Sequence, residues 1–253
     1  TIGSRGPPAK PPQQQEQNQQ TQEQAQWAPQ WQTGQQWQVQ SQTYQMQAMG
    51  EPTWLPPVQW QYQVTGQQQV GQVPCQVVQV SQQGQQRPVM WLFVSTRDLT
   101  LVQVETAIAV GGQEPIVSQQ FTQGQVPGLY QLGPAPCQLP QAQTQLPPPP
   151  PQGQKAMATS KSYKAQVPAG GGIAFETEVT ETVEGIDAEA YKALLPPSVA
   201  GLRAMRPEGE KLYKVTLEAA GSKSMQVIGT ASPWPLYSET ATQKSWLLPS
   251  PGQ

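Results

Sequence analysis

The chain of 253 residues holds 48 glutamines, 28 prolines and 22 glycines, has no histidine, and carries a formal net charge of −2. Without histidine there is no Ser-His-Asp or Cys-His nucleophile system and no imidazole base, and two cysteines alone cannot build the usual structural zinc site. Residues 1–154 hold 4 basic and 6 acidic side chains and residues 155–253 hold 10 of each, so the basic surplus that drives phosphate binding is missing from both parts.

Forty-four of the glutamines precede Lys155. Residues 1–56 open with Gly6-Pro7-Pro8 and Pro11-Pro12, run into a glutamine tract from Gln13, and then space Trp27, Trp31 and Trp37 through glutamine. Ordering one glutamine side chain costs up to about 2 kcal/mol on top of roughly 1–2 kcal/mol for its backbone. Glutamine returns little apolar burial, so this stretch is expected to be disordered.

Residues 57–133 differ. Trp60-Gln61-Tyr62-Gln63-Val64 alternates with period two, as Val73 to Val80 does more loosely, which reads as a half-buried strand with glutamine on the wet side. Val89 to Val94 is a short apolar run, Arg97-Asp98 suggests a turn, and Leu99 to Val110 is richer in β-branched residues, so a β-hairpin is expected at 89–110. Residues 134–156 read as a linker, with Pro147 to Pro151 forming a polyproline II spacer rather than a ligand for a proline-reading module.

Residues 157–231 have ordinary charged composition. Phe175, Thr177 and Val179 alternate with Glu176, Glu178 and Thr180, which is the pattern of an amphipathic strand. Asp187 is a candidate N-cap for a short helix carrying Tyr191, Leu194 and Leu195, stopped by Pro196-Pro197, and Ser198 caps a second turn through Met205. Strands follow at Tyr213 to Ala219 and Met225 to Thr230, joined through Ala220-Gly221-Ser222. The tail from 232 to 253 reads as loop, with Trp234, Trp246 and Leu247-Leu248 as docking groups. The expected fold is therefore a largely disordered Gln/Pro-rich N-terminal part with a short β-hairpin region, followed by a small α+β C-terminal unit. Gln-Val-Pro and Pro-Cys-Gln recur, but their spacings differ and no solenoid is implied.

Chemistry is sparse. Gly170-Gly171-Gly172 lacks the lysine and hydroxyl residue of a phosphate loop and reads as a turn. Glu176, Glu178, Glu181, Glu184 and Asp187 read as a solvated face before a cation site or a carboxylate pair. Cys75 and Cys137 are open between two thiols and one bridge.

Trp27, Trp31, Trp37, Trp60 and Tyr62 are the candidate interaction residues, large amphipathic rings that stack on one another or on a partner. The chain is expected to be a non-enzymatic interaction or scaffold protein. It needs no cofactor, binds protein partners or itself, and meets nucleic acid only indirectly. Val89 to Val94, the longest apolar stretch, is too short to cross a bilayer. The compartment is open, with the cell interior ahead of the exterior. Two alternatives stay open: an extracellular matrix or coat protein cross-linked through Gln, Lys and Cys, and an accessory subunit of an enzyme or ribonucleoprotein assembly. A chain that begins at Thr1 without methionine is expected to be a processed form or a piece of a longer protein.

Overall fold

The computed structural model describes residues 31–45, 53–85, 87–97, 101–108, 116–121, 146, 158–168, 174–197, 209–232 and 234–248. These form one antiparallel sheet of thirteen strands. In chain order the strands are β1 (Gln36–Gln45), β2 (Thr53–Trp54), β3 (Val58–Val70), β4 (Val73–Gln82), β5 (Met90–Ser95), β6 (Leu101–Ile108), β7 (Ile116–Phe121), β8 (Thr159–Pro168) and β9 (Ala174–Ile186). The helix α1 (Ala188–Leu194) comes next, and β10 (Leu212–Ala219), β11 (Ser222–Gly229), β12 (Tyr237–Glu239) and β13 (Gln243–Leu247) complete the set.

Across the sheet the order is β7-β6-β5-β4-β3-β1-β13-β12-β11-β10-β9-β8, with β2 off this path and paired to β1. Most neighbours are consecutive in the chain and need only hairpin turns. β1 and β3 are separated in the chain by β2, β9 and β10 by α1, and the longest-range join is that of β1 to β13, where Val39 faces Leu247 and Ser41 faces Ser245. That join ties the first described strand to the last.

This overturns the expected fold class. The glutamine-rich part is not disordered where it is described, since β1 lies inside the sheet between β3 and β13. The C-terminal part is not a small α+β unit, because its strands continue the same sheet and α1 spans only seven residues. The hairpin expected at 89–110 corresponds to β5 and β6, which pair from Met90–Thr106 to Val94–Leu101 as an inner part of the sheet. The physical reason lies in the period. A strand needs apolar residues only at every second position, and β1 supplies Trp37 and Val39, both buried, between exposed or half-buried glutamines. Each such side chain contributes about 1.5–3 kcal/mol once covered. One strand alone falls short of its ordering cost, but a strand flanked on both sides does not have to stand alone.

The registers sort the side chains onto two faces. On the first face, Trp37 and Val39 of β1 align with Tyr62 and Trp60 of β3, these with Val80 and Gln82 of β4, and Val78 and Val80 with Leu92 and Met90 of β5. The resulting core also holds Trp31, Val64, Val104 and Trp234. Trp234 precedes β12, which is three strand spacings from β3, about 14 Å in a flat sheet. Its ring nevertheless lies 4.8 Å from that of Tyr62, 4.9 Å from Trp37 and 6.0 Å from Trp31. The segment between β11 and β12 therefore folds over the sheet and plugs the N-terminal core.

Apolar groups cover β10 and β11 on both faces. Leu146, inside the expected linker, is buried against Val183, Tyr213, Val215 and Ile228. On the other side α1 lays Tyr191 and Leu195 over Leu212, Val227, Tyr237 and Trp246. The helix starts at Asp187, whose carboxylate accepts from the Ala190 N–H at 2.7 Å. The acidic run is largely consumed by ion pairs: Glu176 with Lys164 at 2.9 Å, Glu181 with Lys161 at 3.0 Å and Glu184 with Lys214 at 2.7 Å. Glu181 is buried, against the expectation of a solvated run, because it shares the parity of Val179 and Val183 and so points into the apolar side. The expected second turn at Ser198, the Gly170–Gly172 turn, Pro147 to Pro151 and Cys137 lie outside the described residues.

Candidate binding surfaces

Four of the five residues expected to be adhesive lie in the core and not at the surface. Trp31, Trp37, Trp60 and Tyr62 are all buried in the first core, and Trp27 lies outside the described residues. Trp37 stacks on Tyr62 at 5.7 Å and on Trp31 at 6.1 Å, and the Trp60 indole N–H donates to Ser41 Oγ at 2.8 Å. These rings stack on one another as core.

What the sheet does present is their alternate set. Because Trp37, Val39, Trp60, Tyr62, Val78 and Val80 point inward, the residues between them point out together. Gln36 pairs with Gln63, Gln38 with Gln61 and Gln40 with Gln59 across β1 and β3, and Gln63 and Gln61 then pair with Gln79 and Ser81 of β4. One row continues from Gln79 through Trp91 of β5 and Glu105 of β6. No charged residue occurs anywhere in β1, β3 or β4. Gln36 and Gln61 are exposed and Gln38, Gln40, Gln59, Gln63 and Gln79 half-buried, and Gln61 Nε2 donates to Gln36 Oε1 at 3.0 Å. The result is a neutral pavement of amides, each able to donate and to accept. The alternation Trp-Gln-Val-Gln at 37–40 matches that at Trp60–Gln63, and it was the available signal for this face.

A second feature lies at the junction of β1, β12 and β13. A cleft of about 730 Å³ opens between the β10–β11 and β12–β13 turns, lined by Ser222, Ser224, Met225, Glu239, Thr240 and Thr242 among others. Glu239 accepts from the Tyr237 hydroxyl at 3.0 Å and pairs with Lys244 at 3.2 Å. The Lys244 ammonium sits 5.0 Å from the centroid of Trp54, and the Trp54 ring is 5.0 Å from that of Tyr44 at 52°. Backbone bonds fix this shelf: Tyr44 pairs with Trp54 across β1 and β2, and the Tyr44 N–H donates to the Thr242 carbonyl at 2.7 Å. Trp54 and Leu55 are exposed, at 37% and 39%. Burial raises the Tyr237 phenol well above its ordinary value, and the Glu239 carboxylate beside it adds to the rise. The phenol therefore stays protonated near neutrality and holds the carboxylate in place as a donor. Nothing in the sequence marked Trp54, set among prolines, as part of a site; only the register of β1, β2 and β13 brings it to Lys244.

Among the described residues no group of three or more His, Cys, Asp or Glu side chains is placed to hold a metal ion, and no helix is long and apolar enough to cross a membrane. Cys75 is buried. The chain is thus an antiparallel β protein with an amide-paved face and a hydroxyl-lined cleft. Comparison with protein-family models, curated proteins and solved structures finds no significant match.

Proposed function

We propose that this chain is a non-enzymatic interaction protein that works through weak, repeated contacts, and that the contact surface is the glutamine face of β1, β3 and β4. The observation that carries the proposal is the uncharged, cross-strand array of Gln36, Gln38, Gln40, Gln59, Gln61, Gln63 and Gln79. An array of groups that both donate and accept is complementary to itself, so the occupant it fits is a second copy of the same face. The energetics favour weakness. A net hydrogen bond contributes about 0.5–1.5 kcal/mol, while ordering a free glutamine side chain costs up to about 2 kcal/mol. Each amide contact is close to neutral, and affinity has to come from many of them. The bond already made from Gln61 to Gln36 lowers part of the ordering cost before association.

The test is sedimentation velocity over a concentration series on the wild type and on a Gln38→Lys, Gln61→Lys double variant. The wild type should associate reversibly with little dependence on salt, and the double variant should remain monomeric with an unchanged far-ultraviolet circular dichroism spectrum. Like charges on facing copies repel, whereas isolated lysines on an exposed sheet face leave the fold intact. A wild type that stays monomeric up to roughly 1 mM, or a double variant that associates equally well, refutes the proposal.

A further inference from the structure

We infer that the outer edge of β7 is a docking slot for an extended, uncharged peptide strand with apolar residues at every second position, the pattern that β3 carries. The slot lies apart from the glutamine face and stands whether or not that face associates. The sheet contains a structural repeat. The Val89 N–H donates to the Val80 carbonyl at 2.9 Å, as the Leu236 N–H does to Val227 at 2.8 Å. The Gln83 N–H donates to Gln59 at 2.9 Å, as Thr230 does to Lys211 at 3.1 Å, and Ala107 donates to Val89 at 2.9 Å, as Leu247 does to Leu236 at 3.0 Å. β3 to β6 therefore recur as β10 to β13, and the strand beside β6 answers to the strand beside β13. Ala107 and Thr106 face Val117 and Ser118 of β7, just as Leu247 and Trp246 face Val39 and Gln40 of β1. β7 stands where β1 stands, but β1 is paired on its far side by β3 whereas β7 ends the sheet.

The backbone of β1 shows which groups such a strand would meet. The Gln38 carbonyl accepts from the Leu248 N–H at 2.8 Å and the Tyr44 N–H donates to Thr242 at 2.7 Å, both on the β13 side. The carbonyls of Gln35 and Thr43 accept from Val64 at 2.9 Å and Leu55 at 2.8 Å, on the opposite side. Carried over by register, the N–H and C=O groups of Val117, Gln119 and Phe121 point away from β6. Native sheets blunt such an edge with charge or proline. The opposite edge follows that rule, with Lys161, Lys164 and Pro168 in β8, and β7 has neither. An edge left unprotected in a chain that protects its other one points to use. The strand that β1 accepts defines the ligand. β3 runs antiparallel to it, sets Trp60 opposite Val39 and Val58 opposite Ser41, and places Gln59 and Gln61 at the alternate positions. The matching partner for β7 sets an aromatic residue opposite Val117, with amide residues at the alternate positions. Backbone bonds supply its affinity and the alternate side chains its register.

The experiment follows the fluorescence anisotropy of a labelled peptide, Val-Gln-Trp-Gln-Tyr-Gln-Val, the sequence of residues 58–64, titrated with the full chain. Two N-methylated forms separate edge pairing from other contacts. In β3 the amides of Trp60 and Tyr62 point toward β1, in phase with that of Val64, which donates to Gln35. The peptide methylated on its glutamine amides should therefore bind, with a Kd of roughly 10 μM to 1 mM. Methylation on the Trp and Tyr amides should weaken binding tenfold or more. Gln119→Pro removes one outward N–H and none that serves β6, so it should also weaken binding tenfold or more with an unchanged far-ultraviolet circular dichroism spectrum. Lys164→Ala, at the opposite edge, should leave binding unchanged. The two peptides decide the matter even where the proline variant is unstable. A slot at β7 is ruled out if the glutamine-methylated peptide does not bind up to about 1 mM, if the Trp/Tyr-methylated form binds equally well, or if folded Gln119→Pro binds as the wild type does. A dimer that Gln119→Pro abolishes, with no peptide bound, overturns it too and gives the edge to a second copy.

Discussion

Replacing Trp234 with alanine tests whether the glutamine-rich strands and the C-terminal strands share one cooperative core. Trp234 is buried, and its ring meets Trp31, Trp37 and Tyr62 at 6.0, 4.9 and 4.8 Å. A buried Trp→Ala change costs about 3–5 kcal/mol through lost transfer energy and the cavity left behind. Each aromatic pair adds about 0.5–1.5 kcal/mol beyond its area, which places this site toward the upper part of that range. Taking about 4 kcal/mol and a urea slope near 2 kcal/mol/M, the unfolding midpoint should fall by about 2 M. That is a large share of a total stability of about 5–15 kcal/mol. The assay is urea unfolding followed by near-ultraviolet circular dichroism, with amide hydrogen exchange read on peptides covering β1, β3 and β11. Protection should fall in β1 and β3 together with β11, although Trp234 is remote from β1 and β3 in sequence. If β1 and β3 exchange at unfolded rates in the wild type, or if the variant shifts the midpoint by less than about 0.5 M, the first and last strands do not share a core and the reasoning fails.

Two further outcomes follow from local geometry. The β10–β11 turn places Ala220 and Gly221 at φ 49° and 76°, a left-handed pair in which alanine is strained by roughly 1–2 kcal/mol and asparagine is the preferred first residue. Ala220→Asn should therefore raise stability by about 0.5–1 kcal/mol in denaturant unfolding. At alkaline pH, burial, with the Glu181 carboxylate adding to it, pushes the Tyr163 phenol from 10.0 up to about 12, and Tyr213 and Tyr237 are shifted in the same direction. The unfolded chain then releases these protons first, so the stabilisation is whole below pH 10.0 and declines as pH climbs toward about 12. Tyr163→Phe should flatten that decline in urea midpoints measured across the window, and an unaltered slope would show that the phenol does not contribute.

The local readings that depend on neighbours in sequence were accessible. Asp187 as a cap, Tyr191 and Leu195 as the buried side of a helix, and the alternation at Trp60–Val64 all rest on spacings of one to four residues. What composition concealed was the strand hidden in a polar average. In β1 the glutamines outnumber the apolar residues, yet the apolar ones are in phase, and phase rather than frequency decides whether a strand has a buried side. Trp37 looked like an isolated ring in a coil because its partners, Tyr62 and Trp234, are supplied by β3 and by the chain before β12. Leu146 was hidden in the same way, as one aliphatic residue in a proline-rich stretch that closes a distant core. The candidate surfaces were legible only in part. The outward glutamines follow from the inward tryptophans once the strands are granted, but the cleft and the Trp54 shelf depend on β13 pairing with β1, which no local pattern specifies.

The sheet's two edges bear on how copies of the chain would meet. β8 carries Lys161 and Lys164, and a charged edge resists further strand addition. β7, Ile116 to Phe121, has no charged residue, so the neutral edge sits on the same side of the sheet as the neutral face. These two surfaces imply different behaviour. Edge pairing recruits backbone N–H and C=O groups that carry little side-chain ordering cost, so it grows by addition and releases slowly. Contact through glutamine amides sets a modest bond against a comparable loss of side-chain freedom, so it forms and dissolves readily. Lysines at positions 38 and 61 stand on β1 and β3, five and four strands in from β7. They would abolish contact between faces and leave pairing at the β7 edge untouched. Fast, reversible association that those two charges eliminate is therefore a property of the paved face, whereas slow, growing assemblies that survive them would assign self-association to the edge.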